Sequence, residues 1–137
     1  MNRPRPRPVS FDGGYWENAA EGVLAVQRCA ACGAVQHYPR PVCVQCRGER
    51  LEWIPCTGAG TIYSYTVVRV PLHPGFREDV PIVLADVELT EGVRVLARVP
   101  GSPVDLPIGA RVEVAVAPAW PDGPPLPQAR LLSGGAS

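Results

Sequence analysis

The sequence lacks two features that mark large functional classes: an excess of charge of one sign and a long apolar run. Its 137 residues carry 13 Lys and Arg against 13 Asp and Glu, so the formal net charge is +0. A neutral chain has no bulk electrostatic attraction for nucleic acid or for an anionic membrane. No apolar run approaches the roughly 20 residues that a membrane-spanning helix requires.

The start of the chain also lacks the apolar core of a secretory signal. Its first residues, Met-Asn-Arg-Pro-Arg-Pro-Arg-Pro, are positively charged, but no apolar segment follows them. We therefore expect a cytoplasmic, reducing location. In such a compartment the 5 cysteines are expected to serve as metal ligands or free thiols rather than as disulfides.

Long helices are disfavoured, because the chain contains 17 Pro and 14 Gly. Proline ends helices and glycine weakens them. Hydrophobic residues make up 46% of the sequence, as in a folded protein, and the length fits one ordinary domain or two very small ones. The composition therefore predicts a mainly β fold with short strands joined by many turns.

Five segments are predicted. They are a flexible Pro/Arg-rich tail (1–10), an amphipathic helix (11–25), a cysteine-rich ribbon (26–50), a small β-barrel (51–132) and a flexible tail (133–137). The helix is predicted from an apolar stripe at helical spacing. This stripe consists of Phe11, Tyr15, Trp16, Ala19, Ala20, Val23 and Leu24. Asp12 is expected to cap the helix and Gly22 to end it.

The barrel is predicted from the alternation of apolar and polar residues after residue 51. The strand patterns cover residues 62–69, 82–89, 93–99, 111–116 and 128–132. Between two of them, Thr90-Glu91-Gly92 predicts a tight hairpin turn. So few strands suit a small closed barrel, because closure removes exposed sheet edges.

Two Cys-x-x-Cys pairs form the strongest motif, Cys29/Cys32 and Cys43/Cys46, separated by ten residues. Two disulfides or a redox pair are competing interpretations, but paired motifs at this spacing favour zinc. Four thiolates complete a tetrahedral site, so the zinc is expected to be structural rather than catalytic.

The residues around the cysteines are also interpreted through the metal. Gly33 and Gly48 are expected to supply the turns that bring backbone amides to sulfur. Four nearby arginines would offset the negative charge of a tetrathiolate centre. They are Arg28, Arg40, Arg47 and Arg50.

No catalytic constellation is predicted, and no residue is assigned a catalytic role. His37 is interpreted as a packing or surface residue beside the ribbon. His73 lies in a loop stiffened by prolines, where it either makes a partner contact or has a plain loop role. Cys56 falls outside the cysteine pairs, and no neighbouring base suggests a catalytic thiol.

A nucleic-acid interpretation rests on Tyr63 and Tyr65, which are two residues apart and are therefore expected on one strand face. Such rings can stack on bases in an OB-fold. The alternative is that they pack in the core, and the balanced charge supplies no basic groove. A local patch could still come from the ribbon arginines.

The order and spacing of several motifs resemble the DUF35 family of zinc-ribbon and OB-fold proteins associated with acyl-CoA enzymes. The motifs are Arg28-Cys29-x-x-Cys32-Gly33, Tyr38-Pro39-Arg40, Cys43-x-x-Cys46, the run 58–68, Pro81-Ile82-x-x-Ala85-Asp86-Val87 and Glu91-Gly92-Val93-Arg94. The resemblance covers roughly residues 11–120. It implies a short N-terminal helix, a rubredoxin-like zinc ribbon with structural zinc on the four paired cysteines, and a small OB-fold barrel.

The resemblance also implies a partner. Members of the family associate with thiolases, with hydroxymethylglutaryl-CoA synthase, with aldolases acting on steroid side-chain CoA esters, and with acyltransferases. In these assemblies the partner holds the catalytic residues, so we expect a non-catalytic accessory subunit that helps to cover the CoA arm at the interface. Phe11, Tyr15 and Trp16 are the predicted partner-binding residues, and packing on this chain's own barrel is the alternative. A single-stranded nucleic-acid module and a direct acyl-CoA binding protein remain alternative functions.

Overall fold

The computed structural model describes residues 3–71, 73–101 and 105–132, and the tail predicted for 133–137 lies outside them. One α-helix and eight strands follow each other along this part of the chain. They are α1 (Gly13–Ala20), β1 (Ala25–Cys29), β2 (Val35–Gln36), β3 (Leu51–Pro55), β4 (Ala59–Val68), β5 (Ile82–Leu89), β6 (Arg94–Arg98), β7 (Arg111–Pro118) and β8 (Pro125–Leu131). A 3-10 helix, Pro74–Phe76, lies between β4 and β5. Within the described residues, no helix has the length and apolarity needed to cross a membrane.

The ribbon is a three-stranded antiparallel sheet in the order β2-β1-β3. Gln27 pairs with Gln36 across β1 and β2. On the other side of β1, the pairing with β3 runs from Ala25↔Pro55 to Cys29↔Leu51. The strand at the predicted start of the barrel therefore belongs to the ribbon sheet, and the barrel begins at β4.

The remaining strands form a closed barrel in the order β4-β5-β6-β8-β7. The order matches the predicted OB-fold, a five-stranded Greek-key barrel. Strands β6 and β8 close it in parallel through a single described pair, Arg98↔Gln128. The closure is therefore narrow, and most of the edge of β6 that faces β8 has no strand partner among the described residues.

The barrel core is aliphatic and follows the alternation seen in the sequence. In β7, Val112, Val114 and Val116 are buried and alternate with exposed or half-buried neighbours. The facing strands contribute Ile62, Val83, Ala85, Val87, Val95 and Ala97. Because each buried branched side chain is worth about 1.5–3 kcal/mol relative to exposure, this core is the main stabilising element of the barrel.

Helix α1 is shorter than the predicted segment 11–25. Asp12 precedes it, but its carboxylate does not cap the first backbone amides. Instead it accepts hydrogen bonds from the Val9 amide at 2.7 Å and from the Trp16 indole at 3.2 Å. Gly22 adopts a φ of 80°, a left-handed conformation that ends the helix, so Leu24 already leads into β1.

The helix packs closely on the ribbon because Gly14 has no side chain. A Cβ at this position would overlap the Trp53 indole of β3. Glycine in a helix costs about 0.5–1 kcal/mol relative to alanine, and here the close approach explains its use.

The N-terminal segment, predicted as a flexible tail, lies against the barrel over its described residues. The Arg3 guanidinium forms an ion pair with Asp79 at 2.9 Å. Arg5 donates a hydrogen bond to the carbonyl of Asp122. Both contacts join residues more than seventy positions apart, so local sequence pattern gives no indication of them.

Candidate metal centre and its surroundings

The ribbon brings the four predicted cysteine ligands together at one end of its sheet. The Sγ atoms of Cys29, Cys32, Cys43 and Cys46 all lie within 4.8 Å of one another. Across the two pairs, Cys29 Sγ lies 3.5 Å from Cys46 Sγ, and Cys32 Sγ lies 3.6 Å from Cys43 Sγ. One ligand of each pair is buried and the other is exposed. The cluster therefore presents a closed set of four soft ligands.

Each cysteine pair sits on a tight turn, and the two turns have matching hydrogen bonds. The Gly33 amide donates to the Cys29 carbonyl at 2.8 Å, and the Arg47 amide donates to the Cys43 carbonyl at 2.9 Å. The left-handed position is Gly33 in the first turn but Arg47 in the second, with a φ of 64°. The left-handed residue of the second turn therefore lies one position before Gly48.

Gly48 has a different function in the same turn. Its amide donates to Cys46 Sγ at 3.4 Å, and a Cβ there would lie only 3.3 Å from that sulfur. The absence of a side chain at Gly48 lets its backbone amide approach the sulfur, as predicted.

Backbone amides directed at sulfur favour the thiolate that a metal needs. The Cys32 amide donates to Cys29 Sγ at 3.5 Å, and this interaction makes the largest contribution to lowering the pKa of Cys29 to about 6. The Cys46 amide lowers the pKa of Cys43 in the same way. The convergence of four sulfurs fits the predicted structural zinc, and four protein ligands leave no ligand position for a substrate.

Two buried glutamines hold the loop that leads to the second cysteine pair. The amide of Gln36 donates to the Gln27 side-chain oxygen at 2.8 Å and to the Val42 carbonyl at 3.1 Å. Gln27 in turn accepts from the Arg40 amide at 2.9 Å and donates to the Arg40 carbonyl at 2.9 Å. The Gln36 oxygen accepts from the Val44 amide at 2.9 Å. The sequence analysis did not identify either residue. A glutamine in each of two short strands that flank the first cysteine pair could have indicated them.

His37 lies in an aromatic layer between helix and ribbon. Its ring centroid is 5.6 Å from that of Tyr15 and 4.2 Å from that of Tyr38. Both ring nitrogens are buried and have no hydrogen-bond partner within the described ranges. Burial lowers the pKa of His37 to about 4, so the ring is neutral at neutral pH. The residue packs and is no part of the cysteine cluster.

The three predicted partner-binding aromatics have unequal exposure. Tyr15 is only 8% exposed and belongs to this chain's own core. It was predicted to bind a partner, but its ring is not accessible to one. Its ring is buried because α1 lies directly on the barrel and the ribbon. Phe11 is 40% exposed, and Trp16 is partly buried. Only these two remain accessible.

An apolar cavity of about 430 Å³ lies beside Phe11 and Trp16. It is bounded by α1, the ribbon loop and the barrel. Its lining includes Phe11, Trp16, Tyr38, Leu96, Leu126 and Pro127. In this surface, Tyr38 is 53% exposed and Leu96 is 47% exposed, so the cavity continues into an exposed apolar patch.

Comparison with known proteins matches both parts of the chain. Residues 16–52 match the family model described as ChsH2, rubredoxin-like zinc ribbon domain, and residues 53–117 match ChsH2, C-terminal OB-fold domain. A solved chain described as Ltp2-ChsH2(DUF35) aldolase has a TM-score of 0.81 and 36% identity, covering 93% of this chain and 98% of that chain. The chain belongs to the DUF35 family.

The relatives of this DUF35 chain differ in length. A probable enoyl-CoA hydratase alpha subunit of Thermomonospora curvata is 40% identical over 111 residues, covering 79% of this chain and 34% of that protein. A DUF35 domain-containing scaffold protein of Methanocaldococcus jannaschii is 36% identical, covering 70% and 69%. The benzoylsuccinyl-CoA thiolase subunit BbsA of Geobacter metallireducens is 28% identical, covering 66% and 60%. The chain thus spans about a third of the length of the hydratase subunit.

These findings confirm the predicted fold class and the predicted cofactor. Over the residues that the structure describes, the DUF35 chain is mainly β, with one short α-helix, a zinc ribbon and a closed five-stranded barrel. The matched ribbon domain is rubredoxin-like, and its four cysteines converge in the geometry that suits structural zinc.

His73 uses its side chain within its own loop. Its Nδ1 accepts a hydrogen bond from the Gly75 amide at 2.9 Å, and this contact caps the 3-10 helix. The ring stands edge-on to Phe76 with centroids 6.2 Å apart. A contact between His73 and a partner stays a prediction.

A register shift separates the two tyrosines that were expected on one strand face. The pairing of β4 with β5 slips between Ile62 and Ser64. As a result Tyr65 packs against the core, whereas Tyr63 is 54% exposed and lies under the Arg94 guanidinium at 4.2 Å. The bulge thus removes the paired stacking platform on which the nucleic-acid interpretation rested.

Cys56 is half-buried and separate from the metal cluster. Burial, followed by the nearby Glu91 carboxylate, raises the pKa of its thiol to about 12. A protonated thiol is a poor nucleophile.

Proposed function

We propose that this chain is a non-catalytic accessory subunit that docks on a thiolase-like acyl-CoA enzyme. The observation that carries the proposal is the whole-chain match to the DUF35 chain named in an aldolase assembly. The relatives named as a hydratase alpha subunit and as a thiolase subunit are also parts of acyl-CoA enzymes. The reaction and the acyl group belong to the partner in this proposal.

The geometry of the ribbon supports an accessory role. Four cysteines saturate a tetrahedral zinc ion, so the metal would hold the ribbon and would have no open position for a thioester. The high pKa of the thiol of Cys56 and the low pKa of the buried ring of His37 remove two groups that could otherwise serve as nucleophile and general acid. In this proposal the partner supplies those groups.

The docking patch is the exposed apolar surface around the start of α1. We define it as Val9, Phe11, Trp16, Tyr38 and Leu96. Its exposed aromatic and aliphatic side chains resemble the anchors that dominate protein interfaces. The neighbouring cavity of about 430 Å³ would receive a side chain from the thiolase-like subunit. At the edge of such an interface, this chain would help to cover a CoA thioester, in a cytoplasmic complex.

Co-expression and co-purification of this chain with a thiolase-like protein from the same organism test the proposal. The variant Phe11→Ser with Leu96→Ser would weaken the complex about 30-fold or more, because central anchors typically contribute about 2 kcal/mol or more. The matched control is Ile108→Ser, which changes another exposed side chain, 62% exposed, on a different surface. Affinity would be measured by calorimetry after zinc content has been checked.

Two outcomes would contradict the proposal. One is a thiolase-like subunit that is fully active and stable without this chain. The other is turnover of a thioester by this chain alone, which would place catalysis in the wrong subunit. If Ile108→Ser weakened the complex and the patch variant did not, this chain would still dock on the partner, but through a surface other than the docking patch.

A further inference from the structure

One face of the barrel carries a second apolar cavity, of about 350 Å³, which adjoins the docking patch and shares Leu96 with it. Its lining includes Phe76, Ile82, Leu84, Arg98, Trp120 and Gln128. These residues come from β5, β6 and β8 and from the loops β4–β5 and β7–β8. In OB-folds, the face of the second and third strands and these two loops commonly bind ligands. Here the chain's own Pro4 and Pro6 lie against the cavity.

The side chain of Arg3 packs against two aromatic rings beside this cavity, those of Phe76 and Trp120. Its guanidinium carbon lies 4.9 Å from the centre of the Phe76 ring and 5.0 Å from the centre of the Trp120 ring. The two rings themselves are 5.7 Å apart and nearly perpendicular. A guanidinium near two aromatic faces is a cation–π arrangement, which arginine adopts more often than lysine.

The guanidinium of Arg3 also donates hydrogen bonds to two acceptors on the barrel. Its Nη2 donates to one Asp79 oxygen at 2.9 Å, and its Nε donates to the Gly75 carbonyl at 2.8 Å. The other Asp79 oxygen accepts from Arg98 of β6 at 3.2 Å. The side chains of Arg3 and Asp79 are each only 19% exposed. The carboxylate is therefore held in place from the barrel side, independently of Arg3.

The other arginines of the segment are bound less or not at all. Arg5 donates only to the Asp122 carbonyl, at an exposed position. Arg7 is exposed and makes no hydrogen bond or ion pair within the described part of the chain. Recognition is thus concentrated on the first arginine and on the prolines that follow it.

We propose that this face of the barrel is a binding site for an extended peptide carrying arginine followed by proline. In this chain residues 3–6 occupy the site: Arg3 lies against the rings of Phe76 and Trp120, and Pro4 and Pro6 form part of the cavity wall. The segment acts as an internal competitor: a peptide of the same chemistry must displace it to reach the site. This inference does not depend on the thiolase-like partner.

A peptide-binding measurement on the full chain tests the proposal. The probe is a fluorescently labelled, acetylated peptide, Arg-Pro-Ala-Pro-Ala-Pro, and the readout is fluorescence anisotropy. The variant Arg3→Ala with Arg5→Ala empties the site, whereas Arg5→Ala with Arg7→Ala has the same charge and keeps Arg3. Because a tethered segment competes at an effective concentration of roughly millimolar, we expect the probe to bind the first variant at least about tenfold more tightly.

Two changes check which groups recognise the peptide. Replacing the peptide's arginine with lysine is expected to weaken binding about tenfold, because lysine has no planar fork for two acceptors. Adding Asp79→Asn to the emptied variant is expected to abolish binding, since an isosteric amide removes the charge. Equal binding to both double variants, or no binding to the emptied one, would overturn the proposal.

An NMR measurement on the unmodified chain tests whether the site is filled in solution. The Arg3 Nε–H donates to a carbonyl, so its solvent exchange is expected to be at least about tenfold slower than that of exposed Arg7. Asp79→Asn should reduce this difference. Equal exchange at the two arginines would show that the segment is not bound and would overturn the proposal.

Discussion

The ribbon and the barrel have interiors of different chemistry. The buried side chains of the barrel are almost all aliphatic, whereas the ribbon buries cysteine sulfur and the two glutamines Gln27 and Gln36. An aliphatic core gains its stability from the removal of apolar surface from water. A polar interior depends instead on hydrogen bonds and metal ligation among its buried groups. The comparison predicts that the two regions fail under different treatments.

Zinc removal should produce the largest difference between the regions. Chelation, or Cys43→Ser, is expected to unfold residues 25–55 and leave the barrel folded, because metal binding by small ribbons contributes about 10 kcal/mol or more. Residue-specific NMR would show collapse of ribbon signals with retention of the barrel signals. Cys56→Ser is the matched control and should keep one zinc per chain. Simultaneous loss of both sets of signals would refute the separation.

A core truncation in the barrel should produce the opposite pattern. Ile62 is 1% exposed, so Ile62→Ala is expected to destabilise the barrel by about 2–5 kcal/mol through lost burial and a cavity. Zinc stoichiometry should stay at the level of the unmodified chain. Urea unfolding would be compared with Ile108→Ala, whose exposed site predicts a change below about 0.5 kcal/mol. A similar cost at both sites would contradict the proposed core.

Lowering the pH should reduce the free energy of unfolding mainly through protonation of His37, which lies between helix and ribbon. Burial lowers its pKa to about 4, below the usual value near 6.5. Between these values the unfolded chain binds more protons, so the free energy of unfolding falls as pH falls. From about pH 7.5 to about pH 5 the expected loss is about 2 kcal/mol. Asp12 lines the same cavity and would partly offset the penalty.

His37→Phe keeps an aromatic ring between the two tyrosines and removes the titration. Its urea unfolding should therefore depend less on pH than that of the unmodified chain by about 2 kcal/mol over the same interval. The difference between the two chains separates this effect from acid release of zinc. Identical pH profiles would show that His37 is not buried as described.

The metal centre was predictable because its signal is local. Two closely spaced pairs of cysteines specify both ligand identity and turn geometry within a few residues. The predicted approach of the Gly48 amide to sulfur is confirmed, whereas the left-handed residue of this turn is Arg47, which the sequence does not indicate. The barrel strands were predictable for a related reason, since alternation in β7 directly reflects burial.

Features that depend on distant pairing were not predictable. The bulge after Ile62 reverses the expected face of Tyr65, and only the register against β5 reveals it. β3 was expected to begin the barrel, but its partner is β1. The Arg-Pro pattern of the first residues predicts mobility, while the aromatic pair that holds Arg3 lies more than seventy residues away.

Tyr38 joins the ribbon to the edge of the barrel. Its hydroxyl accepts a hydrogen bond from the Leu96 amide of β6 at 3.0 Å, beside the narrow closure at Arg98↔Gln128. Uncovered strand edges recruit strands from other molecules, and this contact blocks one such attachment point. The loop carrying Tyr38 runs between the two cysteine pairs. A metal-free chain is therefore expected to self-associate through this edge of β6, beside the proposed docking patch.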